Sequence, residues 1–545
     1  MAEGTSDSPL GRRRLLAPLL VILAGVALRV DRLGAKSLWI DEVITFEVAQ
    51  RPFFSPLTRD GSVAGFCLGD TGPGPLAYGA EWLLMRVRPD EQLLRWPSAV
   101  FGAVGLVAMW LLLRSAVQDR RAGLTALLVW AFSASQINFA QDARGYALAT
   151  ALVTASLWLA GKSWQTGRWR WWWGAAGLHL VAFFVTPLSA LAFGPLALAV
   201  SLGTRRGAIS SAPARLIHGG GSVLAYLAVG GLWLVAWFPR AFYLDTADGH
   251  RSARRLWPTV EGWSTLTDLA RQWARDAADI RPVPWLPGNG WWLTASAVTM
   301  LAALTAVGLA ACLRRWPWNV LVIASCLAPV SLITVLSSSH LLGPRHLFWL
   351  QPIVLLCFAW GVEATLRRLS SHAGTAAAVV LASLIISGVT PRLLERRLTE
   401  KANWRGATEW LIEHASPGDL ILPGPNSEIA CLQHELRTHV GWTTYHIDSA
   451  PQHPLAQALA AADRLQPRPF VILDGVDRVD ELESLVAAGR RVWLLTGFWG
   501  STTRTADHWD WLSAHAVPVT SFPGEMAIGV WLIEPPPGQT EVSAF

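Results

Sequence analysis

The chain has 545 residues, of which 52% are hydrophobic and only 15% are charged, against about 25% charged residues in ordinary soluble domains. This composition excludes an ordinary soluble enzyme and a disordered chain, and it indicates a multi-span membrane protein. The net charge of +6 is no sign of nucleic-acid binding, because basic residues of membrane proteins gather in loops and set the topology.

Apolar runs long enough to cross a bilayer of about 30 Å recur along the first 390 residues. The sequence therefore predicts about 11 helical spans, near 15–30, 96–113, 122–138, 147–161, 171–186, 187–203, 221–239, 291–312, 319–336, 347–364 and 374–390. Alternate connections are basic, which predicts a cytoplasmic N-terminus. The first run follows Arg12, Arg13 and Arg14 and is either a span or a signal peptide; in both cases the next segment is exported.

The sequence pattern changes after residue 395. Amphipathic stretches alternate there with the short apolar runs DLILPG, PFVILDG, RVWLLTG and GVWLIEPP. Such alternation predicts an α/β domain with a largely parallel sheet. We therefore expect a mainly α-helical transmembrane domain over 1–395, with an outer loop at 31–95, and a soluble α/β domain over 396–545 on the periplasmic or extracellular face.

Two adjacent acids lie shortly after the first predicted span. They are Asp41 and Glu42, in the segment SLWIDEVITF. One interpretation is a pair of solvated loop acids. The other is that an acid held at the membrane surface and partly desolvated acts as a general base. The spacing alone leaves both open.

Two arginines occupy predicted outer loops in which the positive-inside rule disfavours them. Arg144 lies in NFAQDARGYAL, and Arg345 lies in SSSHLLGPRHLFW. Arginine grips phosphate with a planar fork, so these residues are candidate ligands of a lipid phosphate. The alternative for Arg144 is a structural ion pair with Asp142 or with an acid of an outer loop. Tyr146 and His346 are either substrate contacts or interfacial packing residues.

A turn-rich segment and a false metal motif complete the list. GDTGPGPLAYGAEW carries Asp70 before its turns and is expected to fold the first outer loop back onto the membrane. His434, Glu435 and His439 form HExxxH, whose spacing turns the second histidine off the face that zinc binding requires. The sequence therefore predicts no metal site.

The ordered motifs resemble those of polytopic polyprenyl-phosphate-sugar-dependent glycosyltransferases of the C-type superfold. Bacterial relatives of protein O-mannosyltransferases and the lipid A aminoarabinose transferase belong to this group. The segments that carry the resemblance are SLWIDE, GPGPLAY, RWPSAVFG, QDARGYAL, PRHLFWLQP and NWRGATEWL, and they extend over most of residues 35–410. One departure is that Pro73, Gly74 and Pro75 replace a frequent His-Pro-Pro, so no role of that histidine transfers.

The resemblance implies an enzyme that transfers a sugar from a polyprenyl phosphate to an acceptor hydroxyl or amine on the outer face. Asp41 would be the base, and Glu42 would orient the acceptor or tune the base. Arg144 and Arg345 would bind the donor phosphate, with Asp70, Asp142, Tyr146 and His346 as further substrate contacts. A single base without a nucleophile favours one displacement with inversion.

The predicted partners are a polyprenyl-phosphate sugar, membrane lipid, and a glycan, lipid or protein acceptor, without nucleic acid. No cofactor is expected to be required, and a divalent cation stays open because carboxylates also bind cations. The predicted location is a bacterial-type inner membrane. The alternative function is a polytopic carrier or flippase for a lipid-linked sugar. We expect a carrier to place polar groups near mid-span on broken helices, whereas these runs are apolar.

Overall fold

The computed structural model comprises two compact units, of which the first is Met1–Leu33 with Val48–Glu395 and the second is Gly34–Glu47 with Arg396–Phe545. The predicted outer loop 31–95 is therefore divided between the units. The structure describes residues 9–50, 75–186, 189, 193, 196, 197, 217–229, 290–312, 348–398, 401–416, 419–422, 427–437, 442–446, 470–474, 491–496, 511, 514–523 and 527–534.

The described part of the first unit is helical. Its helices are α1 (Pro9–Val30), α3 (Gly79–Met85), α4 (Glu91–Ala116), α5 (Arg120–Phe132), α6 (Ala134–Gln141), α7 (Tyr146–Thr166), α8 (Trp169–Val185), α9 (Gly290–Cys312), α10 (Gln351–Leu366) and α11 (Ser371–Leu398), and helix α2 (Ile40–Gln50) precedes α3 and extends across the boundary between the units. A 3₁₀ turn, Pro75–Tyr78, leads into α3. Ile217–Val229 is a further apolar helical stretch.

Within this part of the chain, Glu91–Ala116 and Phe348–Leu366 are long and apolar enough to cross a membrane, and α5 with α6 makes a third span if the bent pair is counted as one. The predicted run 319–336 lies outside the described residues, and 187–203 does so apart from residues 189, 193, 196 and 197. The run 221–239 is described only as far as residue 229. The count of eleven spans therefore stays a prediction.

Helices α9 and α10 approach each other closely at two glycines. A Cβ atom on Gly308 would collide with the backbone of Cys357, and one on Gly361 would collide with the backbone of Leu304. Small residues allow such close contact between apolar helices, where van der Waals packing replaces the hydrophobic effect.

The predicted span 122–138 is broken rather than continuous. Helices α5 and α6 meet at an angle of 47°, and Ser133 caps α6 by accepting a hydrogen bond from the Gln136 N–H at 3.3 Å. The break leaves carbonyls at the end of α5 without helical partners. Arg29 of α1, fully buried, donates to the carbonyls of Ala131 at 3.1 Å and Trp130 at 3.3 Å.

Polar side chains gather beside this break. Gln136 Nε2 donates to Gln351 Oε1 at 2.5 Å, and Gln351 Nε2 donates to Ser135 Oγ at 3.2 Å. The expectation of uniformly apolar spans is therefore wrong at this point, because two serines and a glutamine interrupt the run without lowering its average hydropathy enough to end it.

The second unit contains a mixed six-stranded sheet, in the order β2-β3-β1-β4-β6-β5. Strands β1 to β4 pair in parallel, whereas β6 is antiparallel to both β4 and β5. The strands are β1 (Leu420–Leu422), β2 (Trp442–His446), β3 (Phe470–Asp474), β4 (Val492–Thr496), β5 (Val517–Phe522) and β6 (Ile528–Ile533), and the helices are α12 (Trp404–His414) and α13 (Ser427–Leu436).

Candidate functional site

Two motif residues of the first unit fix the end of α1 and the start of the outer loop. Arg95, from RWPSAVFG, is buried and donates to the Leu33 carbonyl at 3.0 Å. Gln141, from QDARGYAL, donates through Nε2 to the carbonyls of Leu28 at 3.0 Å and Asp31 at 2.9 Å. These residues act on the backbone, so part of the motif set shapes the scaffold of the site rather than touching a substrate.

Arg144 lies in a tight turn between α6 and α7. Its backbone N–H donates to the Asp142 carbonyl at 2.7 Å, and its own carbonyl accepts from Ser98 Oγ at 3.1 Å. Its guanidinium donates through Nη1 to Tyr78 Oη at 2.9 Å. Arg144 and Asp142 are both buried, with exposed fractions of 9% and 5%. The backbone contacts therefore hold a cationic side chain at a fixed place in a largely water-excluded environment.

Glu81 is the residue that sequence reasoning missed. It lies three residues after Tyr78, so the two side chains share one face of the chain as α3 begins. Its side chain is 2% exposed, and among the described residues its Oε2 has no hydrogen-bond partner. Burial raises the pKa of Glu81 to about 8, although its own backbone N–H and the charge of Arg144 act in the opposite direction. Its only sequence signal was its place in GPGPLAYGAEW, because an isolated acid has no distinguishing spacing.

Asp41 and Glu42 occupy the first turn of α2, where the helix dipole favours negative charge. Glu42 is 1% exposed and accepts from the Trp39 N–H at 3.5 Å, in the manner of a capping box. Asp41 is only half-buried, and its backbone carbonyl accepts from Thr45 Oγ1 at 2.9 Å. The two acids are therefore not equivalent: Glu42 helps to build the helix start, whereas Asp41 keeps some access to solvent.

Residues before α2 are held by the first residues of the C-terminal segment, within the second unit. Ser37 Oγ donates to the Ala402 carbonyl at 2.6 Å. Lys401 places its Nζ over the Trp39 ring, 4.2 Å from the centroid. Ser37 and Trp39 are both buried. Two contacts therefore hold the residues that lead into α2, the helix that carries Asp41.

The middle of α2 contacts α13. The rings of Phe46 and His434 meet edge to face at 4.8 Å, and Arg437 lies over Phe46 at 4.1 Å. Glu435 forms an ion pair with Arg405, with 3.6 Å between Oε2 and Nε. In the HExxxH motif, His434 therefore contacts an aromatic ring and Glu435 pairs with an arginine. His439 lies outside the described residues.

The remaining predicted site residues differ in what the structure says of them. Asp70, Arg345 and His346 lie outside the described residues. Tyr146 begins α7, and its ring meets that of Phe139 at 5.1 Å. Across the described ranges, no group of three or more His, Cys, Asp or Glu side chains is close enough to hold a metal ion.

The sequence matches a known family over its central part. Residues 73–233 match the family described as "Dolichyl-phosphate-mannose-protein mannosyltransferase", and this stretch contains the GPGPLAY, RWPSAVFG and QDARGYAL motifs. No protein with a curated description matches the chain. The resemblance to polyprenyl-phosphate-sugar-dependent glycosyltransferases is thus confirmed over these residues.

Solved structures extend the likeness along the chain. ArnT from Cupriavidus metallidurans in the apo state has a TM-score of 0.53 at 13% identity, over 96% of this chain and 98% of that chain. ArnT bound to undecaprenyl phosphate has a TM-score of 0.48 at 12% identity, over 96% and 98%. EmbB from Mycobacterium smegmatis has a TM-score of 0.35 at 15% identity, over 76% and 44%. The likeness to apo ArnT shows a shared multi-pass fold alone, and the other two are too distant to add to it.

Proposed function

We propose that the chain is an integral membrane glycosyltransferase that moves a sugar from a polyprenyl-phosphate donor to an acceptor hydroxyl or amine on the outer face, with inversion. The observation that carries this proposal is the buried pair of Arg144 and Tyr78, which lies inside the stretch that matches a family named for a dolichyl-phosphate sugar donor. An anion held there would belong to the lipid phosphate.

Arg144 would bind the donor phosphate and stabilise it as a leaving group. The negative charge on the phosphate grows as the bond to the anomeric carbon breaks, and a positioned cation stabilises that charge best where water is excluded. Tyr78 supports this role because its hydroxyl accepts from Nη1 and so fixes the plane of the guanidinium. Arg345 is proposed as a second phosphate contact on the resemblance alone.

Asp41 would remove the acceptor proton as the acceptor oxygen or nitrogen attacks the sugar. Its half-buried place in the first turn of α2 supports this role, since a base has to meet an incoming acceptor. Glu42 would keep the helix start in place through its contact with Trp39. A reaction with one base and a phosphate leaving group needs no covalent intermediate, and a single displacement inverts the anomeric centre.

The test is transfer of labelled sugar from purified polyprenyl phosphates carrying a hexose, a pentose or a uronic acid to membrane acceptors. Asp41→Asn should lower the rate by about 100-fold or more, as expected for loss of general-base catalysis. Glu47→Gln is the matched control, because Glu47 is an exposed acid on the same helix, and it should leave the rate unchanged. Full transfer by Asp41→Asn would refute the assignment of the base.

A lipid-linked-sugar carrier is the second candidate function. The broken pair α5 and α6 and the hydrogen bonds among Gln136, Gln351 and Ser135 favour it, because carriers use interrupted helices with polar groups in the span. Purified protein in proteoliposomes separates the two functions. Movement of labelled lipid without sugar transfer from any donor would establish the carrier, and transfer without lipid movement would exclude it.

A further inference from the structure

We infer that Glu81 is a proton-controlled part of the phosphate site: a lipid phosphate binds beside Arg144 when the Glu81 carboxyl group carries a proton, and binding takes up that proton wherever the carboxyl group is ionised. This inference rests on the proposed function, because it needs a phosphate at Arg144. It adds a residue that neither the motifs nor the family match assigns.

The geometry places three polar groups together. Tyr78 Oη accepts from Arg144 Nη1 at 2.9 Å, and Glu81 follows Tyr78 by three residues, at the start of α3. The Glu81 side chain is 98% buried, and its Oε2 has no hydrogen-bond partner within the described chain. An unsatisfied buried carboxyl oxygen is costly, and a ligand that arrives at Arg144 could satisfy it.

Charges on neighbouring elements matter for this inference, because helix α4 packs against α3 and helix α8 packs against the turn before it. The titratable groups on these two helices are Glu91, Arg95 and Arg114 on α4 and Arg170 and His179 on α8. Arg95 is bonded to the Leu33 carbonyl, and His179 Nδ1 shares a hydrogen bond with Ser156 Oγ. The side-chain charge that acts on the ionisation of Glu81 is that of Arg144.

Two opposing effects set the protonation of Glu81. Burial disfavours the carboxylate, and Arg144 favours it; burial prevails, so the pKa of Glu81 lies at about 8. A bound phosphate brings negative charge, which repels the carboxylate and offsets the attraction of Arg144. The carboxylate then takes a proton from water, and the resulting O–H donates to a phosphate oxygen. One O–H bond forms on the carboxyl group, one O–H bond of a water molecule breaks, the hydroxide is neutralised by the buffer, and no other bond changes.

Coupling of this kind makes phosphate binding depend on pH in a defined direction. Below pH 8 the free protein already carries the proton, and above pH 8 each binding event has to take one up. The association constant should therefore fall by about tenfold between pH 7 and pH 9. A phosphate monoester loses its second proton near pH 6, so the probe stays close to a charge of −2 over this range and does not itself cause the change in affinity.

The experiment is equilibrium binding of labelled farnesyl phosphate to the purified full chain in detergent, from pH 7 to pH 9.5, with farnesol as the probe without phosphate. Wild type should lose about tenfold in affinity between pH 7 and pH 9. Glu81→Gln resembles the protonated acid and should change by less than about twofold. Glu409→Gln, which alters an exposed acid on α12, should behave like wild type.

The outcomes separate this inference from the proposed function. Binding with the same pH dependence in wild type and Glu81→Gln would overturn the inference and leave the phosphate site at Arg144 intact. No phosphate-dependent binding at any pH would overturn both. Loss of the pH dependence in Glu81→Gln alone would establish the coupling.

A second measurement needs no ligand. The pKa of Glu81 is raised from 4.5 in the unfolded chain to about 8 in the folded protein, so folding takes up a proton within this window. Stability contributed by the neutral carboxyl is therefore present at low pH and lost as the pH rises towards 8. The Tm of wild type should fall relative to that of Glu81→Gln between pH 5 and pH 8, and parallel curves would contradict the buried neutral acid.

Discussion

The two groups of candidate site residues, one in each unit, are held in different ways. Asp41 lies at the start of a helix that is attached by side-chain contacts to Ala402 and Lys401, and it stays half-buried. Arg144 is fixed through its own backbone by Asp142 and Ser98 and is buried. Asp41 thus lies on a helix whose start is held by side-chain contacts, whereas Arg144 lies in a turn whose backbone is held by its neighbours in the helical unit.

This difference matches the two tasks that the proposed reaction requires. A base has to meet an acceptor of variable shape, which needs access. A cation that stabilises a leaving group works best when it is preorganised and surrounded by little water. Substitutions at four residues test this comparison.

The largest effect is expected at Arg144. Arg144→Gln should lower the sugar-transfer rate by about 100-fold, since both the charge and the planar fork are lost, and Arg144→Lys should lower it by about tenfold because only the fork is lost. The measurement is the initial rate, with Tm as the control for folding. Retained transfer in Arg144→Gln would place the donor phosphate elsewhere.

Arg95 should affect stability more than chemistry. Arg95→Gln removes a buried hydrogen bond from a charged donor to the Leu33 carbonyl, which is expected to lower the free energy of unfolding by about 1.5 to 3 kcal/mol. The matched control is Arg88→Gln, because the side chain of Arg88 is 75% exposed and pairs with Asp90 at 3.0 Å, and exposed pairs contribute little. The measurement is the Tm of each variant. Equal falls in Tm for Arg95→Gln and Arg88→Gln would refute a structural role for Arg95.

Tyr78→Phe tests the orientation of Arg144. Loss of the hydroxyl removes the hydrogen bond to Nη1, which should raise the KM for the donor about three- to tenfold with little change in kcat. Steady-state kinetics at varied donor concentration measure the two constants. A fall in kcat with an unchanged KM would instead assign Tyr78 to the transition state.

The smallest effect is expected at Lys401. Lys401→Ala removes the cation over Trp39, a contact typically worth about 0.5 to 1 kcal/mol. The expected result is a fall in kcat of about two- to fivefold, with an unchanged KM for the donor, because α2 is held less firmly. Lys401→Arg keeps a cation and should restore kcat. Identical kcat values for wild type and Lys401→Ala would show that the other contacts suffice.

Sequence reasoning singled out residues that stand apart from their surroundings. Arg144 was found because a basic residue in a short outer loop is unexpected, and Asp41 was found because adjacent acids followed a span. Glu81 was missed because a single acid within an apolar helix has no spacing that marks it. Its meaning depends on burial near Arg144, which only the fold reveals.

The break in the predicted span 122–138 was missed for a different reason. Average hydropathy passes smoothly over the break, yet Ser133 and Gln136 have the spacing of a capping box, and that signal was present in the sequence.

The strands of the second unit show a similar limit. Four of them coincide with the apolar runs noted in the sequence. The other two strands are more polar: β2 contains two threonines, and β5 contains Thr520, Ser521 and Pro518. Proline is tolerated at a sheet edge, and β5 occupies one.

The contact between Arg29 and the end of α5 has a consequence for synthesis of the chain. Arg29 and Ala131 are 102 residues apart, so at about 5 to 20 residues per second the ribosome needs about 5 to 20 s to supply the carbonyls that Arg29 binds. On insertion scales an arginine costs about 2.5 to 3.5 kcal/mol at the centre of a span and less near its end, and Arg29 lies in the last turn of α1. The first helix therefore enters the membrane before the group that neutralises its cost exists. We expect Arg29→Leu to insert more readily during translation and yet to give a less stable finished protein.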